Sequence, residues 1–284
     1  MLILQDKYGQ LCNRLWAFAP FISEAFENNH KLIILHFYDY YQYFENLKIY
    51  DNITFIENKK ISNIYKILIR LLDRIPTRIL SYLGIILKTE ICVTKIKLEN
   101  RLVVINGWKH RKPPNQLKIA QIQKIFRPKS IYTKKVDEVF ISKRKSFDLI
   151  IGVHIRRGDY KEFKNGIYYY SDSIIINFLN QIKNEFGQKK KIAFLLCSDE
   201  KINLEMYRDF SVFQINNASL IEDLYGLSKC DYIIGPPSTF SMWASFYGQK
   251  PLFFIKMPNM LLKIKDFSVI ISQNKFENGN IFSH

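Results

Sequence analysis

The 284 residues leave room for one large domain or two of ordinary size, and 48% hydrophobic with 24% charged residues is the balance of a folded globular chain. Eleven Gly and nine Pro are scattered without repeat or low-complexity run, which excludes collagen, coiled coil and solenoid. The net charge of +16 is uneven, with 22 Lys and Arg against 8 Asp and Glu between Asp51 and Ile150, so an anionic partner is expected: nucleic acid, anionic lipid or a phosphorylated small molecule.

In chain order, Met1-Leu2-Ile3-Leu4-Gln5-Asp6 turns polar too early for a signal peptide. Leu2 to Gln5 reads as a short strand and Lys7-Tyr8-Gly9-Gln10 as a turn. A helix follows, with Leu15, Phe18, Ala19, Ile22, Ala25 and Phe26 at helical spacing and Asn28 and Asn29 as C-cap residues. The next strand is expected from Leu32 to Leu35. Ile61 to Lys88 is helical in pattern, broken at Pro76, and mixes Ile64, Ile67, Leu68 and Leu71 with Lys66, Arg70, Arg74 and Arg78. Such a face suits either core packing with a solvated basic side or contact with anionic lipid. The poorly patterned basic stretch from Arg111 to Lys145 is where a domain boundary is placed, giving residues 1–145 and 146–284.

The second half alternates more clearly. Strands are predicted at Leu149 to Ile155, Ile192 to Cys197, Asp231 to Gly235 and Leu252 to Ile255. Between them lie an amphipathic helix from Ser173 to Phe186, closed by Gly187, and a second helix opened by the capping box Ser219-Leu220-Ile221-Glu222. The charge-free run from Tyr232 to Gln249 contains Gly235, Pro236 and Pro237, so it reads as strand, turn and helix rather than a membrane span. Alternating strands and helices imply an α/β chain with parallel sheets, arranged as two facing Rossmann-like domains. Cys12, Cys92, Cys197 and Cys230 are far apart and lack CxxC spacing, which argues against a zinc site and fits a reducing, cytoplasmic setting.

Ligands of open α/β sheets bind beyond the carboxyl ends of the strands. Polar clusters fall there four times: Gly9 to Asn13, His154 to Asp159, Ser198-Asp199, and Ser238-Thr239-Phe240. Arg156 and Arg157 are forks that can clamp phosphate oxygens, and Ser238 and Thr239 stand where a helix begins, with backbone N–H groups free for an anion. A diphosphate in a cleft between the two sheets satisfies all of them. Asp199 suits a turn or a ligand equally, Asp223 suits a solvated helix face or a site, and Tyr38 to Tyr43 suits packing or a sugar-stacking surface.

His154-Ile155-Arg156-Arg157-Gly158-Asp159-Tyr160 resembles the H-x-R-R-G-D-Y motif of the α-1,2-fucosyltransferases, a group related to α-1,6- and protein O-fucosyltransferases. Gly9 to Arg14 resembles their N-terminal G-x-L-G-N-Q turn, with Cys12 and Arg14 departing from it. Asp223-Leu224-Tyr225 and Leu227 to Asp231, leading to Ser238-Thr239-Phe240, resemble their C-terminal block. The resemblance implies a GT-B fold in which GDP-fucose is held mainly by the C-terminal domain and the acceptor lies on the N-terminal side. It implies His154 and Asp223 at the guanine or ribose, Arg156 at the β-phosphate, and Asn13, Ser238 and Thr239 around the diphosphate; Arg157, Asp199 and Phe240 complete the expected donor site. It also implies inversion at the anomeric carbon and no metal, and the chain contains no Asp-x-Asp.

The expected function is therefore transfer of fucose from GDP-fucose to a glycan hydroxyl, α-1,2 to galactose. Arg156 is expected to stabilise the leaving diphosphate. Asp159 and Glu162 are the candidates for the base that takes the acceptor proton, with Asp159 alternatively a partner of the arginines. Peripheral contact with an anionic membrane is a further expectation. A transferase using another nucleotide sugar is the close alternative. A nucleic-acid-binding protein is the distant one, since no nucleic-acid module is recognisable.

Overall fold

The computed structural model describes residues 1–5, 7, 9–87, 101–106, 114–187 and 190–272. Tyr8 of the opening turn, the Lys88 end of the basic helical segment, Cys92 and Arg111 lie outside the described residues. The chain forms two compact units, divided between Lys129 and Ser130.

The N-terminal unit carries strands β1 (Leu2–Leu4), β2 (Leu32–Ile34), β3 (Ile53–Phe55), β4 (Ile85–Leu87) and β5 (Leu102–Ile105), all parallel in the order β3-β2-β1-β5-β4. Leu2, Ile3 and Leu4 are all buried, as expected where helices cover both faces of a parallel sheet. Helix α1 (Leu11–Asn28) buries Leu15, Phe18, Ala19, Ile22 and Ala25 as anticipated, leaves Phe26 half-buried, and ends with Asn29 in the left-handed region, where its N–H donates to the Ala25 carbonyl. Helices α2 (Lys59–Leu72), α3 (Thr77–Tyr82) and α4 (Ile119–Ile125) complete the unit. The helical reading of 61–88 needs one correction: after Pro76 the chain makes only a short helix, and Ile85–Leu87 pairs with β5 as an edge strand. A three-residue strand is too short to show a period of its own against helical flanks.

The C-terminal unit begins with α5 (Ser130–Arg144), inside the stretch that looked unpatterned. Only Val136 and Phe140 of α5 are buried, so its apolar stripe is too thin to read. It belongs to this unit because Asp137 accepts from the Tyr225 hydroxyl at 3.2 Å and pairs with Lys229 at 3.0 Å. The division therefore falls sixteen residues before the 145/146 boundary read from the sequence.

Then follow β6 (Leu149–Ile155), α6 (Asp172–Phe186), β7 (Ile192–Ser198), β8 (Val212–Phe213), α7 (Leu220–Lys229), β9 (Tyr232–Gly235), α8 (Thr239–Gly248) and β10 (Leu252–Phe254). The parallel sheet runs β10-β9-β6-β7-β8, so successive connections go one way from β6 and then reverse at β9. That reversal is the topological switch point, beside which ligands of open α/β sheets bind. Ile175, Phe178, Leu179 and Ile182 of α6 occur at i, i+3, i+4 and i+7 and are buried in the core. Each contributes about 1.5–3 kcal/mol of burial. At α7 both halves of the Ser219–Glu222 capping box are formed.

Candidate active site

The carboxyl edge of the C-terminal sheet opens into a cavity of about 200 Å³ lined by His154, Arg156, Cys197, Ser198, Asp199, Ala218, Leu220, Asp223 and Phe240. The ends of β6 and β7, the loop before α7 and the starts of α7 and α8 supply these residues. Five of the expected site residues are thereby brought together: His154, Arg156, Asp199, Asp223 and Phe240.

Arg156 is held from three sides. Nη2 pairs with Asp159 Oδ1 at 2.8 Å, Nη1 pairs with Asp199 Oδ2 at 3.1 Å, and the guanidinium lies 5.7 Å from the Tyr160 ring centre. Tyr160 is itself buried and donates its hydroxyl to the Pro237 carbonyl at 2.6 Å, which ties the turn after β6 to the loop before α8. Asp199 also accepts the Arg157 backbone N–H at 2.9 Å. A Cβ at position 158 would stand 2.6 Å from Asp199 Oδ2, so this bracing carboxylate can approach only over a glycine. Of the alternatives open for Asp159, its geometry is that of an arginine partner. Glu162 follows on an exposed turn.

Arg157 departs from expectation. Its side chain is not part of the cavity lining: Nη2 pairs with Asp172 at the first turn of α6, the Tyr207 hydroxyl donates to the same Asp172 oxygen at 2.6 Å, and Nε is buried without a partner. Adjacent residues leaving a strand point to opposite sides, so His154 and Arg156 share the cavity side while Arg157 faces α6. Ser238 and Thr239 also lie outside the lining. Ser238 is buried and caps α8 by accepting the Phe240 N–H at 3.3 Å, the ordinary role of a serine at that position.

Asn13 belongs to the N-terminal unit, on the first turn of α1, with its side chain packed over Gly9, whose φ is +51°. The unusual Arg14 beside it is buried, donates to the His36 carbonyl at 2.9 Å, pairs with Asp39 at 3.0 Å and lies 4.8 Å from the Tyr40 ring centre. Part of the tyrosine run is thus packed on a buried arginine, which fixes the loop after β2.

His154 is 4% exposed, its Nδ1 has no hydrogen-bond partner, and its ring lies 5.1 Å from that of Phe240. Burial, aided by the Arg156 charge, pushes its pKa down to about 3, so the imidazole is neutral at neutral pH. Burial also pushes the Asp223 carboxyl up to about 6, opposed by hydrogen bonding from Cys197 and assisted by Glu222. Cys197, Ala218 and Leu220 were not anticipated in the site. The capping box at Ser219 was the available signal, because it fixes where the β8–α7 loop meets the sheet edge.

A pH dependence follows. The folded pKa of His154 lies below the ordinary value of 6.5, so its contribution is fully present above pH 6.5 and is lost as pH falls toward 3. The loss is roughly 2 kcal/mol at pH 5. Asp223 acts oppositely, since its raised pKa favours the folded state as pH falls from about 6 toward 4. Comparing thermal melts of the parent and His154→Gln at pH 7.5 and at pH 5 (about one unit above the ordinary carboxylate range) isolates the histidine. The parent is expected to lose more stability on acidification than the variant, and equal losses contradict the burial argument.

Residues 129–261 match the family model described as glycosyl transferase family 11. No curated protein matches the chain. Among solved structures, the chain is similar to selenomethionine fucosyltransferase NodZ from Bradyrhizobium at 18% identity, covering 92% of this chain and 97% of that one with TM-score 0.59. It is also similar to a mutant of Arabidopsis thaliana FUT1 in complex with GDP, at 12% identity over 95% of this chain and 74% of that one, with TM-score 0.59. The apo-form of POFUT1 matches at 13% identity over 89% and 96%, with TM-score 0.55. At such identities the likeness is one of fold, and the fold is GT-B: two α/β units, each on a parallel sheet. The family 11 match spans most of the C-terminal unit, the one that carries the cavity.

Proposed function

We propose that this protein is a glycosyltransferase that moves fucose from GDP-fucose to a glycan hydroxyl, α-1,2 to galactose, with inversion and without a metal. The observation that carries the reading is the Arg156 fork, mostly buried and braced by Asp159 and Asp199 in the lining of a cavity at the carboxyl edge of the C-terminal sheet. The family 11 match supports a sugar donor. The structural neighbours in complex with GDP, or soaked with GDP-fucose as one NodZ crystal was, support the choice of nucleotide.

In this reading the base stacks on Phe240 beside the neutral His154, and Asp223 accepts from the base or a ribose hydroxyl. Arg156 takes the β-phosphate. Two of its five N–H donors are engaged by carboxylates, which leaves others for phosphate oxygens. The charge that builds on the β-phosphate as the sugar departs is met by a fixed guanidinium, the role a divalent cation fills elsewhere. Ser238 and Thr239 serve through the α8 N-terminus, whose backbone N–H groups favour an anion. Because Asp159 is committed to Arg156, Glu162 is the base; Glu162→Gln is expected to lower kcat with donor affinity unchanged, and an unaltered kcat removes it from that role.

Thermal shift with GDP, UDP and ADP tests the donor. A rise selective for GDP is expected, and a UDP-selective rise replaces GDP-fucose with another nucleotide sugar. Incubation with GDP-fucose and a glycan array, read by mass spectrometry, tests linkage, and a product substituted elsewhere than position 2 of galactose overturns the α-1,2 assignment.

A further inference from the structure

We propose that the outer face of α2 and α3 docks the protein flat on an anionic lipid surface. Helix α2 buries Ser62 and Ile69 and packs Tyr65 toward the sheet, yet this accounts for only one edge of its apolar side. Ile61, Ile64, Leu68 and Leu71, at i, i+3, i+7 and i+10, are 43–55% exposed on a second line along the same helix. Tyr82 and Leu83, at the end of α3, are 91% and 58% exposed. Eight of the exposed large apolar side chains among the described residues fall between Ile61 and Leu83, a concentration that a scatter of surface leucines does not produce.

Charge selects the occupant. Six Lys and Arg lie between Lys59 and Arg78 against one acid, Asp73. At 100° per residue Lys60 falls between Ile64 and Ile67 on the solvent side of the helix, and Lys59, Lys66 and Arg70 lie on the opposite flank of that side from Ile61 and Leu68, so the exposed face carries an apolar edge and a basic edge. A second copy bound face to face would bring like charges together. A polyphosphate chain offers nothing to exposed Ile and Leu. An anionic bilayer meets both demands, with acyl chains for the apolar line and headgroups for the basic flank. At 14 residues, about 21 Å, α2 is too short to cross a bilayer of about 30 Å, and no helix among the described residues is long and apolar enough to do so, which leaves an in-plane orientation.

Co-sedimentation of the full chain with phosphatidylcholine vesicles, with and without phosphatidylglycerol, tests the inference independently of any donor. Binding is expected to the anionic vesicles and to fall with added salt. Leu68→Glu is expected to abolish it, and Arg70→Gln with Arg74→Gln to weaken it roughly twenty-five-fold, at about fivefold per charge. Thermal melts of these variants, expected to match the parent, keep misfolding from mimicking loss of docking; a variant that melts early is replaced by Ile64→Gln. Equal binding to neutral and anionic vesicles, or no binding to either, overturns the proposal. A dimer dissolved by Leu68→Glu in the absence of vesicle binding assigns the face to self-association instead.

Discussion

Replacement of Arg156 by lysine is expected to slow transfer by roughly two to four decades while leaving the protein folded. Lysine keeps the charge but presents a single ammonium in place of the planar fork. Charge-assisted hydrogen bonds contribute about 1.5–3 kcal/mol each, so two made selectively as the diphosphate departs amount to about 3–6 kcal/mol of barrier. The lysine also cannot span Asp159 and Asp199, which bind separate nitrogens of the fork. One of those carboxylates loses its partner, and the remaining ammonium is no longer aimed. The measurement is kcat with saturating GDP-fucose, alongside GDP affinity by calorimetry. A kcat within a few-fold of the parent removes the leaving-group role from Arg156.

The second large effect concerns Arg157, the neighbour that the same motif carries. Asp172→Ala is expected to destabilise the protein by about 3–5 kcal/mol, because it strands a buried guanidinium whose Nε already lacks a partner. For a chain of this size that corresponds to a fall in Tm of roughly 6–20 °C. Arg157→Met with Asp172→Leu removes both charges together and is expected to recover much of the loss, since replacing a buried ion pair by apolar residues is often close to neutral. GDP affinity of the Arg157→Met single variant is the discriminating readout. A large loss of affinity with an unchanged Tm would place the second guanidinium on the donor after all.

These two variants separate adjacent arginines that look interchangeable in the sequence. The motif identifies a charged turn after a buried strand, and nothing in residue type distinguishes the two side chains. What separates them is the alternation of side chains along β6 and the arrival of α6 beneath one face. Asp172, at the α6 N-terminus, is fifteen or more residues from either arginine in sequence, and no local pattern links it to Arg157. Asp199 is a similar case: it was a turn residue or a ligand until its bonds to the Arg156 side chain and the Arg157 N–H gave it a bracing role.

Local chemistry settled much of the architecture. Apolar runs bounded by turn residues located β6, β7, β9 and β10 to within a residue or so, because a strand buried on both faces must be continuously apolar. The Ser219–Glu222 box fixed the start of α7, since capping is satisfied within four residues. The same logic placed the polar clusters at strand ends, and five of their residues line one cavity. Beyond that, tertiary structure decided. It gave α5 to the C-terminal unit through Tyr225 and Lys229, contacts some ninety residues away that a thin apolar stripe cannot announce. It turned Arg157 into the core, buried Arg14 beneath Tyr40, and left the apolar line of α2 uncovered. Each of these depends on which element packs against which face, and periodicity within one segment carries no information about its neighbour.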